Sequence, residues 1–207
     1  PVVAQKQIAA GAVGQCCQKV AEAEILVAGG VNDVLVSNQI VGRRKLDRLA
    51  GLARNAKIRV CVDDNDNINQ INAAARRFNS SIEVLVEIDI GAGRCGVIPG
   101  KTAVDLAQSI TKSSNLTFGG LQAYQGRAQH IRGFGERKLA IEKAGKLVQK
   151  TINLLSEADL DCRLVTGAGT GTFQFEASSG IWNELQAGSY CFMDADYGLN
   201  LDQNGEF

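Results

Sequence analysis

The sequence predicts an α/β protein, a (β/α)8 TIM-type barrel lacking its first strand, and three observations predict it. Strand-like and helix-like segments alternate along nearly the whole chain, polar residues gather at the ends of the strand-like runs, and no nucleotide-binding fingerprint of an open sheet occurs. Such alternation implies parallel strands joined by crossover helices. A complete barrel typically needs about 250 residues, so a chain of 207 is short by about one βα unit. Pro1–Ala10 reads as a helix through Val2, Val3, Ile8 and Ala9, which makes the strand ahead of it the missing one. Residues 1–207 are therefore expected to form a single, incomplete barrel domain.

Seven short apolar or β-branched runs are the expected strands: Val13–Gln18, Asp33–Ser37, Ile58–Asp63, Ile82–Asp89, Leu116–Tyr124, Cys162–Thr166 and Glu184–Met193. Between them, Arg43–Arg54, Asn67–Phe78, Thr102–Lys112 and Glu136–Ala158 are amphipathic. In the last, Leu139, Ala140, Ala144, Leu147, Val148, Ile152 and Leu155 recur at helical spacing.

Charge and cysteine usage narrow the function classes. Lys plus Arg and Asp plus Glu both number 22, so no global field attracts nucleic acid or an anionic membrane. No apolar run approaches the roughly 18 residues needed to span a bilayer. The six cysteines form no C-x-x-C pair and the only histidine is His130, which leaves no pattern for a structural zinc site. Free thiols in a reducing, cytoplasmic setting are expected.

In a barrel of this kind the active face is formed by the carboxyl ends of the strands. Three segments there can carry chemistry. Thr166-Gly167-Ala168-Gly169-Thr170-Gly171-Thr172 follows a strand late in the chain. Glycines permit positive φ and close backbone approach, so successive N–H groups can converge on a phosphate; a plain turn is the alternative. In Glu87-Ile88-Asp89-Ile90-Gly91-Ala92-Gly93-Arg94, glycines bend the chain so that Arg94 can project over the barrel mouth. An arginine there can donate to a ring nitrogen or a carboxylate, or it can close the loop by pairing with Asp89. The third segment is Leu121-Gln122-Ala123-Tyr124-Gln125-Gly126, followed by Gln129-His130. Tyr124 can lie against a planar ligand, and His130 can move protons near neutral pH or serve only as a surface residue.

At these segments the chain resembles the fold-type III pyridoxal-phosphate enzymes with an alanine-racemase-like N-terminal barrel. Within them it is most similar to the group of D-threonine aldolase, D-serine dehydratase and 3-hydroxy-D-aspartate dehydratase. The stretches that carry the resemblance are QIAAGAVGQCCQKVAEAE (residues 7–24), DVLVSNQIVG (33–42), EIDIGAGRCG (87–96), LQAYQGRAQHI (121–131), VTGAGTGT (165–172) and NELQAGSYCFMDADYG (183–198), nearly end to end.

The resemblance implies a pyridoxal 5'-phosphate cofactor, with Arg94 facing it and Tyr124 near its ring. It implies phosphate binding by Thr166, Gly167, Gly169 and Thr170 with Gly188, Ser189 and Tyr190, and a polar position at the barrel mouth for Gln18. The family's Schiff-base lysine and its C-terminal β-domain have no counterpart in the sequence, so no catalytic lysine and no metal ligand are assigned to this chain. A divalent metal, Zn or Mn, is expected in the full-length enzyme. The resemblance implies the activity of a lyase acting on small D-β-hydroxy amino acids, of aldolase or dehydratase type, working as a homodimer, with this fragment inactive. An amino-acid racemase of the same fold type, a non-catalytic cofactor-binding barrel and a phosphate-binding barrel unrelated to pyridoxal phosphate are the alternatives.

Overall fold

The structure, a computed structural model, describes residues 1–206. It falls into two compact units, Pro1–Val86 with Asp105–Gly119, and Glu87–Val104 with Gly120 onward.

The first unit begins with α1 (Val2–Ala9) and then alternates strictly: β1 (Gln15–Cys17), α2 (Val20–Ala28), β2 (Asp33–Gln39), α3 (Arg43–Leu52), β3 (Lys57–Val62), α4 (Asn65–Arg77) and β4 (Ile82–Glu87). The four strands pair in parallel and in chain order, with Cys16 opposite Leu35, Val34 opposite Ile58 and Val60 opposite Val84. Val34, Leu35, Val36, Val60, Cys61, Val62, Val84 and Leu85 are all buried, as expected of parallel strands covered on both faces. Helix α4 shows why these segments coil. The Asp64 carboxylate accepts the Asn67 N–H at 2.9 Å as an N-cap, Arg76 and Arg77 sit in the last turn, and Ile68, Ile71, Ala74 and Ala75 form its buried stripe. At the strand starts, Arg59 is buried yet paired, its Nη2 2.8 Å from Asp33 Oδ1.

The second unit holds the start of α5 (Lys101–Thr111), the end of β5 (Leu116–Ala123), α6 (Phe134–Glu157), β6 (Leu164–Gly167), α7 (Phe173–Ser178) and β7 (Glu184–Leu185). β5, β6 and β7 are again parallel, with Gln122 opposite Thr166 and Thr166 opposite Glu184. α6 buries Ile141, Ala144, Gly145, Val148, Thr151 and Leu155. The expected stripe was offset in part: Leu139 and Leu147 are 49% and 41% exposed.

Parallel βα repeats thus match the expected class, and most boundaries fall within two residues of the reading from sequence. The clear departure is the last strand. Glu184–Met193 shrinks to β7, and Ser189–Cys191 is a 3-10 turn. Gly188 and a run of exposed side chains after it provide no second face to bury, so the chain leaves the ladder there. None of the six cysteines is in a disulfide among the described residues; only Cys17 and Cys61 are buried outright, and burial pushes the Cys17 thiol up to about 12.

Candidate functional site

The loop after β4 is built around Asp89. Its Oδ1 accepts the N–H groups of Gly91 and Gly93 at 2.9 and 3.0 Å, and the chain closes behind it through Asp89 N–H to Val97 O and Val97 N–H to Glu87 O, both 2.9 Å. Gly91 and Gly93 have φ of 121° and 62°, a region open to glycine and strained for other residues. Burial raises the Asp89 carboxyl, but the N–H groups of Gly93, Gly91 and Ala92 together outweigh it and hold the group below the usual range. Asp89 is thus engaged with its own loop. Arg94 turns instead toward Glu87, its Nη2 3.6 Å from Glu87 Oε1, and its guanidinium carbon lies 5.7 Å from the centroid of the Tyr124 ring. Glu87 is buried and Arg94 is half exposed. Tyr124 follows β5; burial, then the neighbouring Tyr197, push its phenol above the usual value.

The glycine-rich loop after β6 has a different logic from the one anticipated. The positive φ belongs to Ala168, at 68°, and to no glycine of the loop. Its glycines are required by contact. A Cβ on Gly167 would lie 2.0 Å from Ala123 O, one on Gly169 2.4 Å from Gln129 Oε1, and one on Gly171 2.5 Å from Gln129 O. Gly171 N–H donates to Gln129 Oε1 at 3.0 Å, and the Thr172 and Phe173 N–H groups donate to Gly169 O. The Gly169 and Thr170 N–H groups have no acceptor among the described residues.

Several anticipated residues come together here and others do not. The Tyr190 N–H donates to Thr170 Oγ1 at 3.1 Å, which joins the glycine-rich loop to the turn containing the exposed Gly188 and Ser189. Arg94 and Tyr124 form a second pairing. Thr166 joins neither, because it is fully buried and its hydroxyl already donates to Glu184 Oε1 at 2.7 Å and accepts from Gln186 Nε2 at 2.8 Å. Gln18 belongs to the first unit, exposed just past β1; its carbonyl accepts from Asn38 Nδ2 and its N–H donates to Glu22. His130 lies in a 3-10 turn, Gly126–His130; its Nδ1 meets Asp196 Oδ2, while Arg132 holds the other oxygen of that carboxylate and, at 2.6 Å, the Asp196 carbonyl.

The buried polar residues behind the loops were largely missed. Gln122 and Gln186 exchange hydrogen bonds of 3.3 and 2.7 Å beside Thr166. Gln129 is fully buried and its Nε2 donates to Thr172 Oγ1 at 2.8 Å and to Gln125 O at 3.2 Å. Thr172 in turn donates to Glu176 Oε1 at 2.8 Å, whereas Glu176 Oε2 is buried with no partner among the described residues. Burial raises the Glu176 carboxyl. Alternation along β5 and β6 could have flagged Gln122 and Thr166 as inward-facing polar positions; nothing local distinguishes Gln129 from a solvated loop glutamine.

Among the described residues no three His, Cys, Asp or Glu side chains could hold a metal ion, and no helix is long and apolar enough to cross a membrane. What the unit does hold is an amide-lined loop suited to an anionic ester and an arginine stacked on an aromatic ring, at the carboxyl ends of parallel strands.

That combination defines a parallel α/β domain of the class that binds phosphorylated cofactors at its strand ends. The chain belongs to the family described as alanine racemase, N-terminal domain, whose pattern matches residues 2–196; this is a family of pyridoxal-phosphate-dependent enzymes. It is 47% identical over 197 residues to the 3-hydroxy-D-aspartate aldolase of Paracoccus denitrificans (strain Pd 1222), covering 95% of this chain and 51% of that protein. The crystal structure of D-threonine aldolase from Filomicrobium marinum superposes with a TM-score of 0.97 at 50% identity, over 98% of this chain and 55% of that one. The D-threo-3-hydroxyaspartate dehydratase of Delftia sp. (strain HT23) is 28% identical over 199 residues, 93% of this chain and 51% of its own. The chain spans about half the length of the curated relatives it matches.

Proposed function

We propose that the chain is the cofactor-holding part of a pyridoxal-phosphate-dependent lyase that cleaves D-β-hydroxy amino acids by a retro-aldol reaction. The observation that carries this reading is the junction at Thr170 and Tyr190, where two backbone N–H groups without acceptors among the described residues, those of Gly169 and Thr170, adjoin the Thr170 hydroxyl that accepts the Tyr190 N–H. Amides fixed in that way suit a doubly charged phosphate ester without needing a cationic side chain. A protein backbone with neutral donors fits the phosphate end of the cofactor, and the guanidinium of Arg94 over Tyr124 fits its aromatic end.

When bound, pyridoxal phosphate supplies an electron sink for bond breaking at the substrate's Cα. The residues of this chain then hold and orient. Arg94 is held by the buried Glu87, 3.6 Å from its Nη2, which restrains its planar donors. Breaking the Cα–Cβ bond requires that the substrate's β-hydroxyl give up its proton. His130 is the side chain suited to accept it, because Asp196 engages Nδ1 and leaves Nε2 as the second ring nitrogen. The products of D-threonine are then glycine and acetaldehyde, with the released proton balanced by one taken up at Cα.

Aldol cleavage is preferred to dehydration because the aldolases are 47–50% identical to this chain and the dehydratase 28%. A divalent metal, Zn or Mn, polarising the β-hydroxyl is part of the same proposal for the whole protein, as are a cytoplasmic location and a homodimer. The full-length protein loaded with pyridoxal phosphate is expected to release glycine and acetaldehyde from D-threonine and to leave L-threonine untouched. Release of ammonia and a 2-oxo acid in place of glycine would replace the aldolase reading with the dehydratase one.

A further inference from the structure

We infer that Gln129 is the positioning residue that moulds the anion-binding loop, an inference that rests on the proposed cofactor site. Its side chain is fully buried and every hydrogen-bonding group on it is used. Oε1 accepts the Gly171 N–H at 3.0 Å; the two Nε2 hydrogens go to Thr172 Oγ1 at 2.8 Å and Gln125 O at 3.2 Å. Its own carbonyl accepts from Asn200 Nδ2 at 2.8 Å.

The contact surface of the loop is fitted to this residue. A methyl group on Gly169 would come within 2.4 Å of Oε1, and one on Gly171 within 2.5 Å of the Gln129 carbonyl oxygen. The loop therefore lies on Gln129 as on a template, with the intervening Thr170 turned outward to meet Tyr190 N–H. The same amide reaches the other loop of the site. Gln129 grips the Gln125 carbonyl, and Gln125 Nε2 donates to Ile90 O at 3.0 Å in the segment leading to Arg94. A single buried side chain thus ties the amides of residues 169–171 to the strand-end loop that carries the arginine. It touches none of the groups left open to a ligand, so its effect on binding passes through the loop's shape.

A residue that shapes the phosphate end alters recognition of the ester and spares that of the ring. The test compares dissociation constants of pyridoxal 5'-phosphate and of pyridoxal for the 207-residue chain by equilibrium dialysis. Gln129→Met, close in shape but unable to accept or donate these bonds, is expected to weaken pyridoxal phosphate about tenfold while changing pyridoxal less than about twofold. Gln129→Asn, one methylene shorter and still polar, is the second variant in case the first does not fold, and the same loss of preference is expected. Val148→Ala, a core change in α6 away from the loop, controls for general destabilisation and is expected to keep the preference. A folded Gln129 variant with wild-type preference for the phosphorylated ligand would overturn the inference and leave the site reading intact. A wild-type chain that does not distinguish the two ligands would overturn both.

Discussion

The Arg94 guanidinium carbon lies over the face of Tyr124, 5.7 Å from the ring centroid, while its Nη2 is 3.6 Å from the buried Glu87 Oε1. The arginine is held between a carboxylate and an aromatic face, and only its planar, delocalised cation satisfies both. Arg94→Lys keeps the charge and loses the plane. Because the side chain is 54% exposed, its folding free energy is expected to shift by less than about 0.5 kcal/mol. Binding of pyridoxal phosphate is expected to weaken about tenfold. Urea unfolding and cofactor titration on the same preparation separate the two effects, and equal affinity in the variant would remove Arg94 from the site.

Gly167, Ala168 and Gly188 differ in what they meet, and substitution should expose the difference. At Gly167 the obstacle is backbone, Ala123 O at 2.0 Å, in the last pair of the β5–β6 ladder. Gly167→Ala is expected to cost about 3 kcal/mol of folding free energy. At Gly188 the nearest atom is 3.9 Å away and Gly188→Ala is expected to stay within about 0.5 kcal/mol. Ala168→Gly relieves a strained φ of 68° but gives the unfolded chain more freedom, and these offset to within about 1 kcal/mol. Chemical denaturation of the three variants checks the order.

Most of this architecture was legible because parallel strands buried on both faces leave continuous apolar runs such as Ile82–Glu87, and α4 carries its own Asp64 cap. The alternation of β and α segments follows from those runs directly. Glu184–Met193 misled because Leu185, Tyr190, Phe192 and Met193 are apolar enough for a strand yet all exposed here. Within the candidate site, Arg94, Tyr124 and Thr170 stand at strand ends where residue type and place coincide. The buried amide of Gln129 and the half-buried one of Gln186 were not legible, since a glutamine's burial depends on partners distant in sequence: Gln129 meets Thr172, and Gln186 meets Gln122. For the same reason, the glycines at 167, 169 and 171 revealed that something approaches closely without revealing that it is protein.

Glu176 is a carboxyl placed where its anion is poorly received. Its Oε1 accepts from Thr172, its Oε2 has no partner among the described residues, and burial raises its pKa. A raised folded pKa means that the group favours folding below its unfolded value of about 4.3, and that this advantage is lost as pH rises through the folded value. Glu176→Gln removes the titration while keeping the acceptor for Thr172. Thermal melts are expected to show the variant gaining on the wild type between pH 4 and pH 8. A constant difference in Tm across that range would mean that Glu176 holds its charge in the fold without penalty.

Asp196 works in the opposite sense. The hydrogen bond from Arg132, against a smaller effect of burial and aided by His130, holds its carboxyl below the usual range. A depressed folded pKa gives stabilisation that is present above the unfolded value of about 3.9 and is lost as pH falls through the folded one. The Arg132 that grips Asp196 also donates to Asn200 Oδ1 at 2.9 Å, and Leu201 N–H donates to Arg132 O at 2.9 Å, so the carboxylate secures the segment from 196 to 201 beside His130. Hydrogen exchange at the Leu201 amide is expected to speed up, relative to its intrinsic rate, as the pH drops below about 4, while Val60 in the core of the first unit stays protected. Asp196→Asn should give the faster exchange already at pH 6 and remove its pH dependence, because the amide cannot titrate and binds Arg132 without charge. If Leu201 in that variant keeps the wild-type profile, another acid governs the segment and the ion pair with Arg132 is not what positions His130.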